Sequence, residues 1–470
     1  MNLVRRFLDT AARHPSRVAI IDGNGRRITF GELAKRSDAL ATAWRRRGIQ
    51  SGDRVLVAMG LGIDLYATIA ALWRLGACVV FPEPAMGRQG VAHAVRATKP
   101  KAFASAGLFR ALLLLVPSLW SVPIWLAPKG GPGVSVVEDV DDDYPALISF
   151  TSGSTGAPKG IVRSHGFLQA QDDALGSLLR PEDEAVDLVA FPVFVVPNLA
   201  FGVTSVLPAW KVTRPARARA DTILRQIEHE SVTRALLPPV LCETLADGPV
   251  DPGLEHVMTG GGPVFPDLCE RLTERMPNTR ITAVYGSTEA EPIAHVEVNE
   301  IASEDWLAMR NGAGLLAGTP VPETRVRIID DEIVVTGDHV NKGYLDTARN
   351  GEKLHENGTV WHRTGDAGRL DEQGRLWLLG RVDGRANGHY PFAVEVAARS
   401  WPGVRQAALV AGDEPLLVLE GTEPADGDWA VRAERLGGLQ VRRVDRIPLD
   451  RRHASKVDMP ALRRMLGEQD

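Results

Sequence analysis

Cysteine is scarce in this sequence. There are three, Cys78, Cys242 and Cys269, far apart and each set in apolar or helical-looking sequence. So small and odd a number excludes a disulfide framework, points to a reducing compartment and lacks the spacing of metal ligands; the three read as small buried hydrophobes. Long tracts of one charge are also missing, and 54 Lys and Arg against 59 Asp and Glu leave a net charge of −5. That balance excludes the electrostatic footprint of a nucleic-acid binder. The N-terminal MNLVRRFLDTAARHP is broken by charged residues and does not read as a signal peptide. The long charge-free run Ala111 to Ala127 is too short for a membrane span and carries Pro117 and Pro123. It reads as a buried or acyl-facing segment in preference to a peripheral membrane contact. With no span and no targeting signal, a cytoplasmic location is expected.

What is present is an ordinary globular composition, 44% hydrophobic and 24% charged, over 470 residues, enough for two or more domains. Up to about residue 380, strand-like and helix-like stretches alternate. Thr29-Phe30-Gly31-Glu32 is a capping box that opens a helix toward Arg47, with Gly48 as its stop. Buried strands are expected at 54–59, 77–81, 146–150, 186–191, 234–237 and 281–284, with a second helix over 64–75. This alternation predicts an α/β fold: a large N-terminal domain of βα layers with buried sheets, residues 1–381. After Gly380-Arg381-Val382-Asp383-Gly384, residues 382–470 carry their own apolar runs at 406–410 and 416–419 and a last helix over 460–466. They read as a small α+β C-terminal domain.

The strongest chemical signal is TSGSTGAPKG, residues 151–160, directly after the apolar strand ALISF. Its glycines let the backbone approach a ligand, and consecutive N–H groups form a concavity for anionic oxygens. Thr151, Ser152, Ser154 and Thr155 add hydroxyls, Gly153 and Gly156 freedom, and Lys159 a point charge. This is a phosphate loop, and not the Walker pattern, because no Ser or Thr follows Lys159. A flexible Gly/Ser connector would need neither the preceding buried strand nor Pro158-Lys159-Gly160.

TSGSTGAPKG resembles the signature of the adenylate-forming superfamily: acyl-CoA synthetases, peptide-synthetase adenylation domains and luciferases. Further signatures follow in order, so the resemblance covers nearly the whole chain. It implies that Gly261 and Gly262, within Gly260-Gly261-Gly262-Pro263, wall the adenine. It implies that Tyr285, Gly286, Ser287 and Thr288 lie beside the nucleotide, and that Thr155 and Glu289 hold Mg²⁺. Asp366, in Thr364-Gly365-Asp366, would bind the ribose, with Arg381 reaching the ribose or phosphate. Asp383 would be the hinge about which a small mobile domain turns, and Lys456, in PLDRRHASKVDMPALRRM, the lysine that enters the site for adenylation. The implied substrates are ATP and a small carboxylic acid; the implied chemistry is attack of the carboxylate on the α-phosphorus with loss of pyrophosphate. A chain that binds nucleotide without turnover would be expected to have lost Lys456 or Glu289.

The acceptor is the open question. Where acyl-CoA synthetases usually carry a histidine in a Phe-Pro-x-Phe-His segment, this chain reads FPVFVVP, with Val195 at that place. Arg385-Ala386-Asn387-Gly388-His389 replaces the usual Ile-Lys-glycine continuation, and Ala454-Ser455-Lys456 the usual Ser-Gly-Lys. Each departure weakens CoA as acceptor. Pro448, Asp450, Arg452, His453 and Lys456, with FPVF…AFGVTSVLP (191–208) and EPAMGRQG (83–90), resemble the β-lactone synthetases of bacterial olefin biosynthesis. In that branch the substrate's own 3-hydroxyl displaces AMP, and His453 could help remove its proton. Transfer to CoA or a carrier protein, with other pathway enzymes as partners, is the alternative.

Overall fold

The computed structural model describes residues 1–82, 86–134, 136–151, 158–181, 184–412, 414–425, 427–450 and 455–467, Thr151 and Glu352 by their backbone alone. Among these, the chain forms three sheets. A six-stranded sheet runs, edge to edge, Ile124–Leu126, Ala102–Ser105, Arg54–Ala58, Cys78–Phe81, Pro145–Thr151 and Lys159–Ser164. Its first five strands are parallel and the last is antiparallel. The phosphate-loop sequence therefore connects its last two strands. A fourteen-stranded sheet holds the strands from Val18–Ile21 to Leu376–Arg381, parallel through Val186–Val189, Arg234–Leu237, His256–Gly260 and Arg280–Ser287 and antiparallel beyond. The fold is the expected α/β layering, with a smaller α+β region after it.

The local signals act as expected. Thr29 Oγ1 accepts from Glu32 N, and the Glu32 side chain accepts from Thr29 N, which closes the capping box of helix Phe30–Arg46. Such a cap contributes about 1 kcal/mol. Leu33, Leu40 and Trp44 of that helix are buried, as are Ala67, Ala71 and Leu72 of helix Ile63–Arg74, and the two pack against each other in one core. Cys78, Cys242 and Cys269 are free and buried; burial pushes the first two thiols up to about 12. No helix among the described residues is long and apolar enough to cross a membrane.

The apolar run at 111–127 departs from its expectation of burial. It breaks into helix Leu112–Leu115, a 3-10 turn Pro117–Ser121 and strand Ile124–Leu126. Val116, Leu119, Val122 and Leu126 enter the core, but Leu114, Leu115, Trp120 and Trp125 face outward. Hydropathy counts apolar side chains and is blind to whether a second layer exists to cover them.

After Arg381 come a 3-10 turn Val382–Gly384 and helix Pro391–Arg399, then a three-stranded sheet of Val404–Val410, Leu416–Gly421 and Gln440–Val444. One face of this sheet packs on Val394, Ala398 and Trp429, the other on Leu462 and Leu466 of the last helix, Met459–Leu466. Helix Pro391–Arg399 also joins the large core through Val396 and Phe392. Arg399 donates to both carboxylate oxygens of Asp267, at 2.8 and 2.7 Å, and lies over the Phe265 ring. The C-terminal region is thus seated against the rest of the chain by a mixed apolar and ionic contact.

Candidate active site

Several strand ends meet at one place, linked by the contacts of Tyr344 and Tyr285. Pro145–Thr151 and Lys159–Ser164 flank the phosphate-loop sequence, whose residues 152–157 lie outside the described residues; Ser152, Gly153, Ser154, Thr155 and Gly156 fall there. Lys159 is on the return strand. That strand pairs at Ile161 with Tyr344, and Leu345 N donates to Gly160 O at 2.8 Å. The pairing sets the Tyr344 ring 5.4 Å from the Lys159 ammonium.

Strands Arg280–Ser287 and Ala290–Glu297 form a hairpin, with Ser287 opposite Ala290, so Thr288 and Glu289 are its two-residue turn. The turn is held from both sides: Arg163 donates to Thr288 O at 2.7 Å, and Asn341 N to Glu289 O at 2.7 Å. Tyr344 Oη donates to Glu289 Oε1 at 3.3 Å. One tyrosine thus contacts both Lys159 and Glu289. Behind it, the buried Lys353 donates to Asn341 O at 2.7 Å, lies 3.0 Å from His362 Nδ1, and faces the same tyrosine ring at 4.9 Å. Burial first, then the charges of Lys353, Lys159 and Arg381, hold His362 down at about 3, so it stays neutral.

Thr364-Gly365-Asp366 lies inside the long strand Thr359–Leu370, at an irregularity. Gly365 has φ of 71°, and a Cβ there would come within 2.9 Å of Arg381 Cζ, so the position needs glycine on both grounds. Asp366 Oδ2 accepts from Tyr285 Oη at 2.8 Å and Oδ1 from Arg381 at 3.1 Å. Burial and the neighbouring carboxylate push the Tyr285 phenol well up, so it stays a donor. A carboxylate has about four lone-pair directions, so each oxygen keeps capacity for a further donor such as a diol. Arg381 also reaches Asp383, at 3.8 Å.

The glycine turn follows strand His256–Gly260. Gly261 has φ of 75° and lies under the Phe191 ring. Gly262 faces the C-terminal region: a Cβ there would come within 2.8 Å of Ser455 Cβ and closer still to its Oγ. Ser455 and Lys456 belong to a hairpin-like loop. Leu449 bridges Val457, Asp450 N donates to Lys456 O at 2.8 Å, and Asp450 Oδ1 accepts from the backbone N–H groups of Ser455 and Lys456 at 3.1 and 2.9 Å. The Lys456 side chain is exposed. Among the described residues, Ser287 Oγ and Ser455 Oγ are buried without a hydrogen-bond partner. Buried hydroxyls of that kind call for a ligand or water. Arg451, Arg452 and His453 lie outside the described residues.

Sequence reasoning did not single out Tyr344, Lys353 or His362 as parts of this arrangement; Asp450 was read only as part of the motif that ends in Lys456. Their partners are distant in sequence, as with Tyr344 and Glu289 55 residues apart. The one available signal was tyrosine scarcity: five in the chain, two of them here.

Residues 7–345 match the family described as AMP-binding enzyme, and the chain belongs to that family. It is an ATP-dependent enzyme of the acid-activating, acyl-adenylate-forming class. The sequence is 32% identical to an olefin beta-lactone synthetase of Stenotrophomonas maltophilia, over 97% of this chain and 96% of that one. It is 27% identical to a 2-succinylbenzoate–CoA ligase of Bacillus cereus, over 84% and 82%. In fold it is similar to the amide bond synthetase McbA of Marinactinospora thermotolerans, with a TM-score of 0.82 at 24% identity, over 98% of this chain and 99% of that one.

Proposed function

We propose that this enzyme activates a 3-hydroxy carboxylic acid of fatty or aliphatic type as its acyl-AMP, then closes it to a β-lactone. The observation that carries the reading is the seat of the Ser455–Lys456 loop on Gly262, which supports a lysine meeting the nucleotide across the cleft. The ring-closing step draws its support from the relative named for that product and from the acceptor side. The fully buried Val195 offers no imidazole where ligases usually have one. Residues 386–389 form a tight turn with Asn387 and Gly388 both at positive φ, and the His389 ring packs on Gly437.

In this mechanism Lys159 and the N–H groups of 151–160 hold the phosphates, and Asp366, set by Tyr285 and Arg381, accepts from the ribose hydroxyls. Glu289 fits a hard cation: it is a carboxylate at a strand turn, oriented by a tyrosine, and Thr155 would join it. Mg²⁺ there would neutralise charge on the phosphate oxygens. The carboxylate attacks the α-phosphorus in line, pyrophosphate leaves, and Lys456 stabilises the charge shared by the reacting oxygens. The 3-hydroxyl oxygen then bonds to the acyl carbon, the bond from that carbon to the phosphate-bearing oxygen breaks, and AMP departs. The hydroxyl proton passes to solvent or to His453. An internal nucleophile removes one bimolecular encounter. Residues 382–470 act as the small domain, with Asp383 at its hinge.

Product analysis tests this. With ATP, Mg²⁺ and a 3-hydroxy acid but no CoA, AMP and pyrophosphate should appear together, and the organic product should carry a lactone carbonyl stretch. Release of AMP only on addition of CoA or a carrier protein would refute ring closure and establish thiol ligation.

A further inference from the structure

We propose that the turns between strands Ala102–Ser105 and Ile124–Leu126 form a docking surface for an anionic lipid membrane. Five large apolar side chains there face solvent, Leu108 (92% exposed), Leu114 (82%), Trp120 (66%), Leu115 (51%) and Phe109 (41%), and Trp125 (50%) joins them from the second strand. An apolar cluster of this kind on a protein surface marks an interaction site. The Trp120 indole N–H is tied to Leu113 O at 2.6 Å, which fixes the exposed ring on these turns; tryptophan is enriched at membrane–water interfaces.

Charge identifies the lipid. From Pro84 to Val137 the sequence contains no Asp or Glu, although at the chain's average of 59 in 470 a stretch of 54 residues would hold about seven. The same stretch carries Arg88, Arg96, Lys99, Lys101, Arg110 and Lys129. Lys101 pairs with Asp53; the other five are exposed. Arg110 lies within the apolar turns. Helix Gly87–Thr98, with Arg88 and Arg96, packs on the Pro117–Ser121 turn. Ala102 pairs in parallel with Ile124, which sets Lys99 at the end of the sheet where Trp120 lies. Basic side chains flanking an apolar crossover, in a chain of net negative charge, match a membrane surface rich in anionic lipid. Strand Ile124–Leu126, which carries Trp125, is four strand spacings from Pro145–Thr151, roughly 19 Å at ~4.8 Å each, so this edge of the surface is separated from the strand that leads into the phosphate-loop sequence.

The test is flotation of the full chain with vesicles of phosphatidylcholine alone and of phosphatidylcholine with an equal part of phosphatidylglycerol. Binding to the anionic vesicles is expected, weakened by high salt, with little to the neutral ones. Leu114→Ser with Trp120→Ser and Trp125→Ser should lower the partition coefficient roughly tenfold or more. Arg110→Glu should lower it several-fold, since each basic residue near such a surface contributes roughly fivefold. Pyrophosphate release from a soluble acid should be unchanged in both variants, which separates this proposal from the reading of the active site. No binding, equal binding to both vesicles, unaltered binding by the triple variant, or a stable dimer that the triple variant dissolves would each overturn it.

Discussion

Gly262→Ala is the sharpest probe of how the C-terminal loop meets the nucleotide site. Gly262 does not have positive φ, so alanine strains no backbone there. The added Cβ would stand within 2.8 Å of Ser455 Cβ. Rotating the serine hydroxyl relieves the contact with Oγ but not that with Cβ, so the loop must withdraw by about 1 Å to restore ordinary van der Waals distance. Lys456 is the next residue, and Asp450 ties both backbone N–H groups to one carboxylate oxygen; the lysine therefore moves with the serine. A displacement of about 1 Å at a reacting group costs roughly a hundredfold in rate. Acid-dependent pyrophosphate release should fall by about that factor in Gly262→Ala, with the melting temperature little changed. Ser455→Gly should have a small effect alone and, combined with Gly262→Ala, should restore most of the rate. A single variant with undiminished activity, or a double variant no better than the single, would refute this reasoning.

Lys456→Ala should reduce adenylation by about 10²–10³ while leaving ATP binding, measured by calorimetry, nearly intact. Asp450→Ala should loosen the same loop and lower the rate of pyrophosphate release with unchanged affinity for ATP. Tyr344→Phe should keep the ring beside Lys159 and Lys353 and lose the contact with Glu289, so a modest rise in the KM for Mg-ATP is expected; Tyr344→Leu should raise it further, since cation–π contacts of this kind contribute about 0.5–1 kcal/mol. Asp172 is buried 3.9 Å from Arg6, and burial pushes its carboxyl up to about 7. The folded state then binds more protons than the unfolded one between about pH 4 and pH 7, so stability falls as pH rises through that window. Thermal melts should show Asp172→Asn flattening this fall and raising the melting temperature at about pH 8.

Much of the fold was legible because local rules agreed with the tertiary outcome. The capping box at Thr29, the stop at Gly48, and the apolar strands before the phosphate loop all rest on neighbours within a few residues. The cleft was legible as motifs but not as contacts. Tyr285 and Asp366 are 81 residues apart, and Gly262 and Ser455 much further; no periodicity connects them. The twelve-residue strand around Asp366 was hidden by Gly365, which reads as a turn and serves as an irregularity in a sheet. The run at 111–127 failed differently: its apolar residues divide between core and surface, a division set by which faces the sheet edge leaves uncovered.

The most direct measurement uses a 3-hydroxy acid labelled with heavy oxygen at both carboxylate positions, followed through a single turnover without CoA. Attack of the carboxylate on the α-phosphorus and closure by the 3-hydroxyl predict one heavy oxygen in AMP and one in the lactone carbonyl, with the ring oxygen unlabelled. A lactone retaining both heavy oxygens beside unlabelled AMP would mean that the hydroxyl, and not the acid, had been activated, and would contradict the account.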